Sequence, residues 1–122
     1  KRKEIWENYD NALRGWAHDN KVLQPFIPDH CEQSYHMYYL LLPKLDTRQA
    51  FIHHLKDRGV HSVFHYVRLH TSEMGKKYGY IEGSLPVTED ISNRLVRLPM
   101  YFDLSPMDLE EISQAVMDFK IV

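Results

Sequence analysis

A single cysteine, Cys31, leaves nothing for an internal disulfide to pair with and favours a reducing compartment. No apolar run approaches the roughly 20 residues that cross a bilayer. The opening residues carry no signal-peptide pattern. A cytoplasmic location with no membrane partner is therefore expected. Excess charge of one sign is missing too: the formal net charge is −2, which gives no general attraction for nucleic acid. There is no internal repeat and no low-complexity segment. Nucleophile elbows, phosphate-cradling glycine loops and kinase signatures do not occur. Cys31 has Glu32 rather than a base beside it and reads as an inert thiol.

What the chain does have is enough apolar residue, 43%, for one core in a single 122-residue domain. It also has eight histidines and eight tyrosines, concentrated between Tyr35 and Tyr80.

Spacings of three and four place Ile5, Trp6, Tyr9, Leu13 and Trp16 on one stripe of a helix from about Arg2 to Trp16, broken near Gly15. Gln24 to Asp29 is a two-proline connector. Tyr35 to Leu42 is apolar on both alternating faces, the pattern of a strand buried on both sides. Asp46 and Gln49 suggest a capping box for a helix with Phe51, Ile52 and Leu55 as its core stripe and Gly59 as its stop. Val60 to Val67 reads as a second strand, and Thr71 to Gly83 as a loop. A helix opening at Thr88 has Val87, Ile91 and Leu95 as its apolar face. Glu89 and Asp90 sit at its positive end, and Arg94 and Arg97 at its negative end. Leu98 to Phe102 reads as a short edge strand. Ser105-Pro106 starts a last helix with Leu109, Ile112, Val116 and Phe119 on one face. The sum is an α+β domain, a small sheet with helices on one side.

The run from Phe64 to His70 carries the chemistry. Imidazoles and a phenol delivered at a strand end are held rigidly and can donate hydrogen bonds near neutral pH. This suits an anionic, polar small molecule. His65 is the leading site residue, because the strand ends there and His70 follows. Tyr66 faces the other way, as a core ring or a site group. A metal site of His61, His65 and His70 lacks any cysteine or acid at ligand spacing, and His61 is expected in solvent. His36 reads as a core histidine, and His53 and His54 as a solvated helix face. Tyr35, Tyr38 and Tyr39 read as core rather than a stacking platform.

Several segments in order resemble a known family. They are Arg2-x-x-Ile5-Trp6-x-x-Tyr9, His36-Met37-Tyr38-Tyr39, Arg48-Gln49-Ala50, Phe64-His65-Tyr66-x-x-Leu69-His70, Val87-Thr88-Glu89, Leu95 to Tyr101 and Leu104-Ser105-Pro106. The resemblance covers nearly the whole chain and is to the C-terminal part of the DegT/DnrJ/EryC1/StrS sugar-nucleotide aminotransferases. Within them it is nearest the dTDP-4-oxo-6-deoxy-D-glucose branch, the dTDP-4-amino-4,6-dideoxygalactose transaminases of cell-surface polysaccharide biosynthesis.

The resemblance implies a dimeric fold-type-I enzyme dependent on pyridoxal phosphate. Such an enzyme moves an amino group from glutamate to the C4 ketone of a nucleotide-linked deoxysugar. It implies that residues 1–20 end the link to a large domain, on which Trp6, Tyr9, Leu13 and Trp16 would pack. Residues 21–122 would then be the small domain, with a mostly antiparallel sheet. The cofactor's lysine would lie outside this chain, leaving it inactive alone with no cofactor bound; Lys76 and Lys77 sit in a hydrophilic loop that offers no desolvation. His65 and His70 match the family's His-Tyr-x-Pro-Leu-His segment beside the sugar-nucleotide pocket. The implied substrate contacts are His65 as donor, with Tyr66 and His70 as supports. Arg68 replaces the usual proline, and is read either as a clamp on a phosphate or carboxylate or as an exposed strand-end residue. The alternatives are a free-standing α+β ligand-binding module and an interaction domain that dimerises through its first helix.

Overall fold

The computed structural model describes residues 1–121. Among them five helices and three short strands form the α+β fold that the sequence implies. Helix α1 spans Arg2–Asp19 without a break. Gly15 faces solvent, where a Cβ would meet nothing. Its cost of about 1 kcal/mol in a helix is outweighed by burial of Leu13, Trp16 and Ala17 around it.

The α1 stripe is covered by this chain itself, not left for another domain. Tyr9 stacks on Tyr38 with ring centroids 5.2 Å apart and donates its hydroxyl to the Pro99 carbonyl at 2.8 Å. Trp6 meets Tyr35 and Tyr38 edge-on. Trp16 stacks on Phe51 and donates its indole N–H to the Phe119 carbonyl at 3.0 Å.

Strand β1 is Tyr39–Leu41, much shorter than the apolar run suggested. Tyr38, Leu40 and Leu42 are buried, whereas Tyr39 and Leu41 are half-buried, so only one face meets the core. Tyr35 has a left-handed φ of 50°, which interrupts the extended path. His36 is exposed, not a core residue, and is hydrogen-bonded to the Ser34 hydroxyl.

Helix α2 is Leu45–Asp57, with Lys44 before its first turn and no side-chain cap. Asp46 already lies inside the helix, so the expected capping box does not form. Gly59 follows with φ of 75°, the conformation that favours glycine at a helix stop. His54 leaves solvent: its Nε2 donates to the Ala115 carbonyl at 2.8 Å, and its ring meets Phe119. His53 is exposed.

Strand β2 is only Val63–Phe64. Beyond it, the polar segment includes a short helix α3, Glu73–Lys77, capped by the Ser72 hydroxyl. Helix α4, Pro86–Arg94, starts two residues before Thr88, because proline already has the φ of a first turn. Val87 is exposed, and Leu95 has left the helix, so the expected apolar face is not used as drawn. Strand β3 is Leu95–Arg97 rather than the expected 98–102 segment. Pro99 cannot donate to a ladder, and its carbonyl is taken by Tyr9.

All pairing is antiparallel, in the order β1-β3-β2. Helix α5, Pro106–Met117, begins where expected. Ser105 and Asp108 close a capping box, and Leu109, Ile112 and Val116 are buried. Helix α5 packs along α1.

Candidate functional site

The segment after β2 turns sharply at Tyr66, whose φ of 59° is left-handed. The turn stops the strand and fans its side chains around a groove of about 370 Å³ between residues 65–68 and α4. His65, Tyr66 and Arg68 line it together with Val87, Thr88 and Ser92. Three of the four residues expected at the site thus share one groove. Tyr66 is exposed rather than a core ring.

The fourth, His70, is buried and does not line this groove. Its Nε2 donates to Glu89 Oε1 at 2.9 Å. The same carboxylate accepts the Gly83 backbone N–H at 2.7 Å, and Arg68 lies 3.7 Å from its other oxygen. Arg68 also approaches Glu82 at 3.7 Å. Arg68 is therefore half-buried and paired, not an exposed strand-end residue. The hydrogen bond from His70, helped by the N–H groups of Gly83 and Leu85, holds the Glu89 carboxyl below its ordinary pKa despite some desolvation. Glu89 was legible in the sequence only as a helix-dipole charge and as part of the Val87-Thr88-Glu89 resemblance. Its partner lies nineteen residues away, a separation with no periodic signal.

His65 is half-buried, with its ring 4.7 Å from that of Tyr66. Burial lowers its pKa, and Arg97 and His36 push it further the same way. At neutral pH the ring is uncharged and has one N–H to give. Its Nδ1 is enclosed without a partner. Arg97, expected at a helix end, is instead on β3 with its guanidinium 5.5 Å from the Tyr66 ring. Arg48 is buried behind Phe64 and donates to the Ser92 carbonyl at 3.2 Å.

His61 is exposed and does not line this groove. Among the described residues no group of three or more histidine, cysteine or acidic side chains is placed to hold a metal ion. Every lysine is exposed, Lys76 and Lys77 on α3 included. A lysine that forms an imine with an aldehyde cofactor needs desolvation to lose its proton near pH 7. The residues of this chain therefore do not fit the anchoring of pyridoxal phosphate.

A sequence model of the DegT/DnrJ/EryC1/StrS aminotransferase family matches residues 1–117. The chain belongs to that family. It is 33% identical to the aminotransferase TlmJ of Streptoalloteichus hindustanus, whose crystal structure superposes with a TM-score of 0.81 over 95% of this chain and 30% of that one. It is 27% identical to the spore coat polysaccharide biosynthesis protein SpsC of Bacillus subtilis, over 97% of this chain and 31% of that protein. A Streptococcus pneumoniae protein assigned as a sugar aminotransferase, solved in its PLP form, shares the fold at 23% identity. Its TM-score is 0.83, over 95% of this chain and 29% of that one. The chain thus spans about 30% of the length of the relatives it matches.

Proposed function

We propose that this chain is the small C-terminal domain of a pyridoxal-phosphate-dependent sugar-nucleotide aminotransferase. Residues 1–20 are the end of its link to a large domain, and Val122 lies outside the described residues. The full enzyme transfers the amino group of glutamate to the C4 ketone of dTDP-4-oxo-6-deoxy-D-glucose, as a cytoplasmic homodimer. When bound in that enzyme, pyridoxal phosphate supplies the aldehyde that carries the amino group between donor and sugar. This chain supplies a wall of the sugar-nucleotide pocket. His65 donates its one N–H to the substrate, and Tyr66 flanks it. Arg68 and His70, both engaged by Glu89, keep the segment in place. The observation that carries this reading is the groove shared by His65, Tyr66 and Arg68 and braced by the His70–Glu89 hydrogen bond.

Steady-state kinetics of His65→Ala in the full-length protein test it. Sugar-nucleotide binding is expected to weaken by about 1.5–3 kcal/mol, the worth of a hydrogen bond to a charged group, with glutamate little affected. Equal losses for both substrates would reduce His65 to packing.

The covered stripe of α1 favours a second reading, a free-standing α+β binding module, since no apolar face of that helix is left waiting. Sugar-nucleotide binding by this chain alone separates the two. Binding seen only in the full-length protein supports the aminotransferase domain, and equal binding by residues 1–122 alone supports the module.

A further inference from the structure

One face of the sheet meets the core through Leu40 and Val96, both fully buried. The register sets Tyr39, Arg97 and Val63 in a row on the opposite face. His65 follows directly after the end of β2, close enough to Arg97 for that charge to act on its imidazole. All four are half-buried, so this face is only partly covered.

Two enclosed nitrogens on it have no hydrogen-bond partner, Nε of Arg97 and Nδ1 of His65. Arg14, Arg68 and Arg94 each meet a carboxylate, but among the described residues no ion pair forms at Arg97. Its guanidinium lies over the Tyr66 ring, and its charge reaches the His65 imidazole. A buried N–H of a charged group left without an acceptor is unfavourable, and an anionic ligand can supply one.

Arg97 on β3 and His65 just past β2 both lie against the Tyr66 ring, at 5.5 Å and 4.7 Å from its centroid. An anion with oxygens on several sides can meet both donors. A carboxylate, with two oxygens on one carbon, fits this spread less well than a phosphoryl group, whose oxygens also match the guanidinium fork.

We propose that Arg97 and His65 form an anion subsite on the open face of the sheet, and that it takes a phosphoryl group of a phosphorylated ligand. Arg97 supplies the charge and His65 one N–H. In assigning that group to the diphosphate of a nucleotide sugar, the inference rests on the functional reading above; free pyrophosphate has the same chemistry.

Titration calorimetry on the full-length protein, with dTDP and with inorganic pyrophosphate, tests both. Arg97→Gln is expected to weaken both ligands roughly tenfold or more, as loss of a charge-assisted hydrogen bond implies, and Arg97→Lys to recover part. Pyrophosphate binding that depends on Arg97, with no dTDP binding, upholds the subsite and removes the nucleotide reading. Binding of dTDP by wild type and Arg97→Gln alike keeps the nucleotide reading and overturns the subsite, as does failure of the wild type to bind either ligand. Should Arg97→Gln not fold, phenylglyoxal modification of the wild type decides. Pyrophosphate is expected to shield Arg97 and leave the exposed Arg2 and Arg58 reactive, and equal reactivity with and without it overturns the subsite.

Discussion

Glu89 receives the Nε2 hydrogen of His70 at 2.9 Å, tying the first turn of α4 to the end of the segment that holds His65. The same carboxylate takes the Gly83 N–H, so one side chain closes the whole excursion from β2 to α4. The folded carboxyl has a lower pKa than the unfolded one. Its contribution is therefore complete above the unfolded value of about 4.5 and is lost as pH falls through the folded value. The protection of amides in residues 65–85, relative to their intrinsic exchange rates at each pH, is expected to fall as pH drops through this range. Glu89→Ala should already show that loss of protection at neutral pH. Unchanged protection in Glu89→Ala would mean that the segment is held by something else.

For His65 the pKa is also lowered, but the cause is burial next to like charges. Protonation is easier in the unfolded chain, so stability from this group is full above the ordinary 6.5 and declines as pH falls below it. Titration of the imidazole by NMR is expected to show a midpoint below 6.5. His65→Asn should flatten the pH dependence of unfolding in that window. A midpoint at or above the ordinary value would contradict the enclosed, cationic surroundings described here.

Gly75 in α3 lies against the carbonyl oxygens of Leu69 and His70, where a Cβ would collide with backbone. Gly75→Ala gains about 1 kcal/mol of helix propensity, but overpacking costs about 1–3 kcal/mol, and rigid backbone cannot yield as a side chain can. The Leu69–His70 segment must move. Ligand binding at the groove is expected to fall more than the melting temperature does. A variant that binds normally would show that α3 itself gives way.

Leu13 is fully buried in the shared core. Leu13→Ala is expected to destabilise the whole chain by about 2–5 kcal/mol, measured by urea unfolding followed at residues beyond 20. If α1 served only another domain, those residues would unfold as in the wild type.

Much of the fold was legible along the chain. Helix α5 has its hydroxyl cap, its proline and its apolar stripe between Ser105 and Phe119, and α1 has its stripe at regular spacing, so local periodicity was enough. His65, Tyr66 and Arg68 were legible as a group because they are adjacent. The strands were drawn too long, since apolar alternation at Tyr35–Leu42 and Val60–Val67 says nothing about where a left-handed residue such as Tyr35 or Tyr66 ends the ladder.

The amino-acid order by itself determined the helix stripes, the family and the stretch that carries the imidazoles, because each is written in neighbouring residues. Only the folded chain decided that Tyr9 reaches Pro99, that Glu89 braces His70, and that Arg97 and His65 meet the same Tyr66 ring. Those choices depend on closure in three dimensions. Residues far apart in sequence meet because burying the apolar stripes of α1 and α5 and one sheet face leaves few other arrangements.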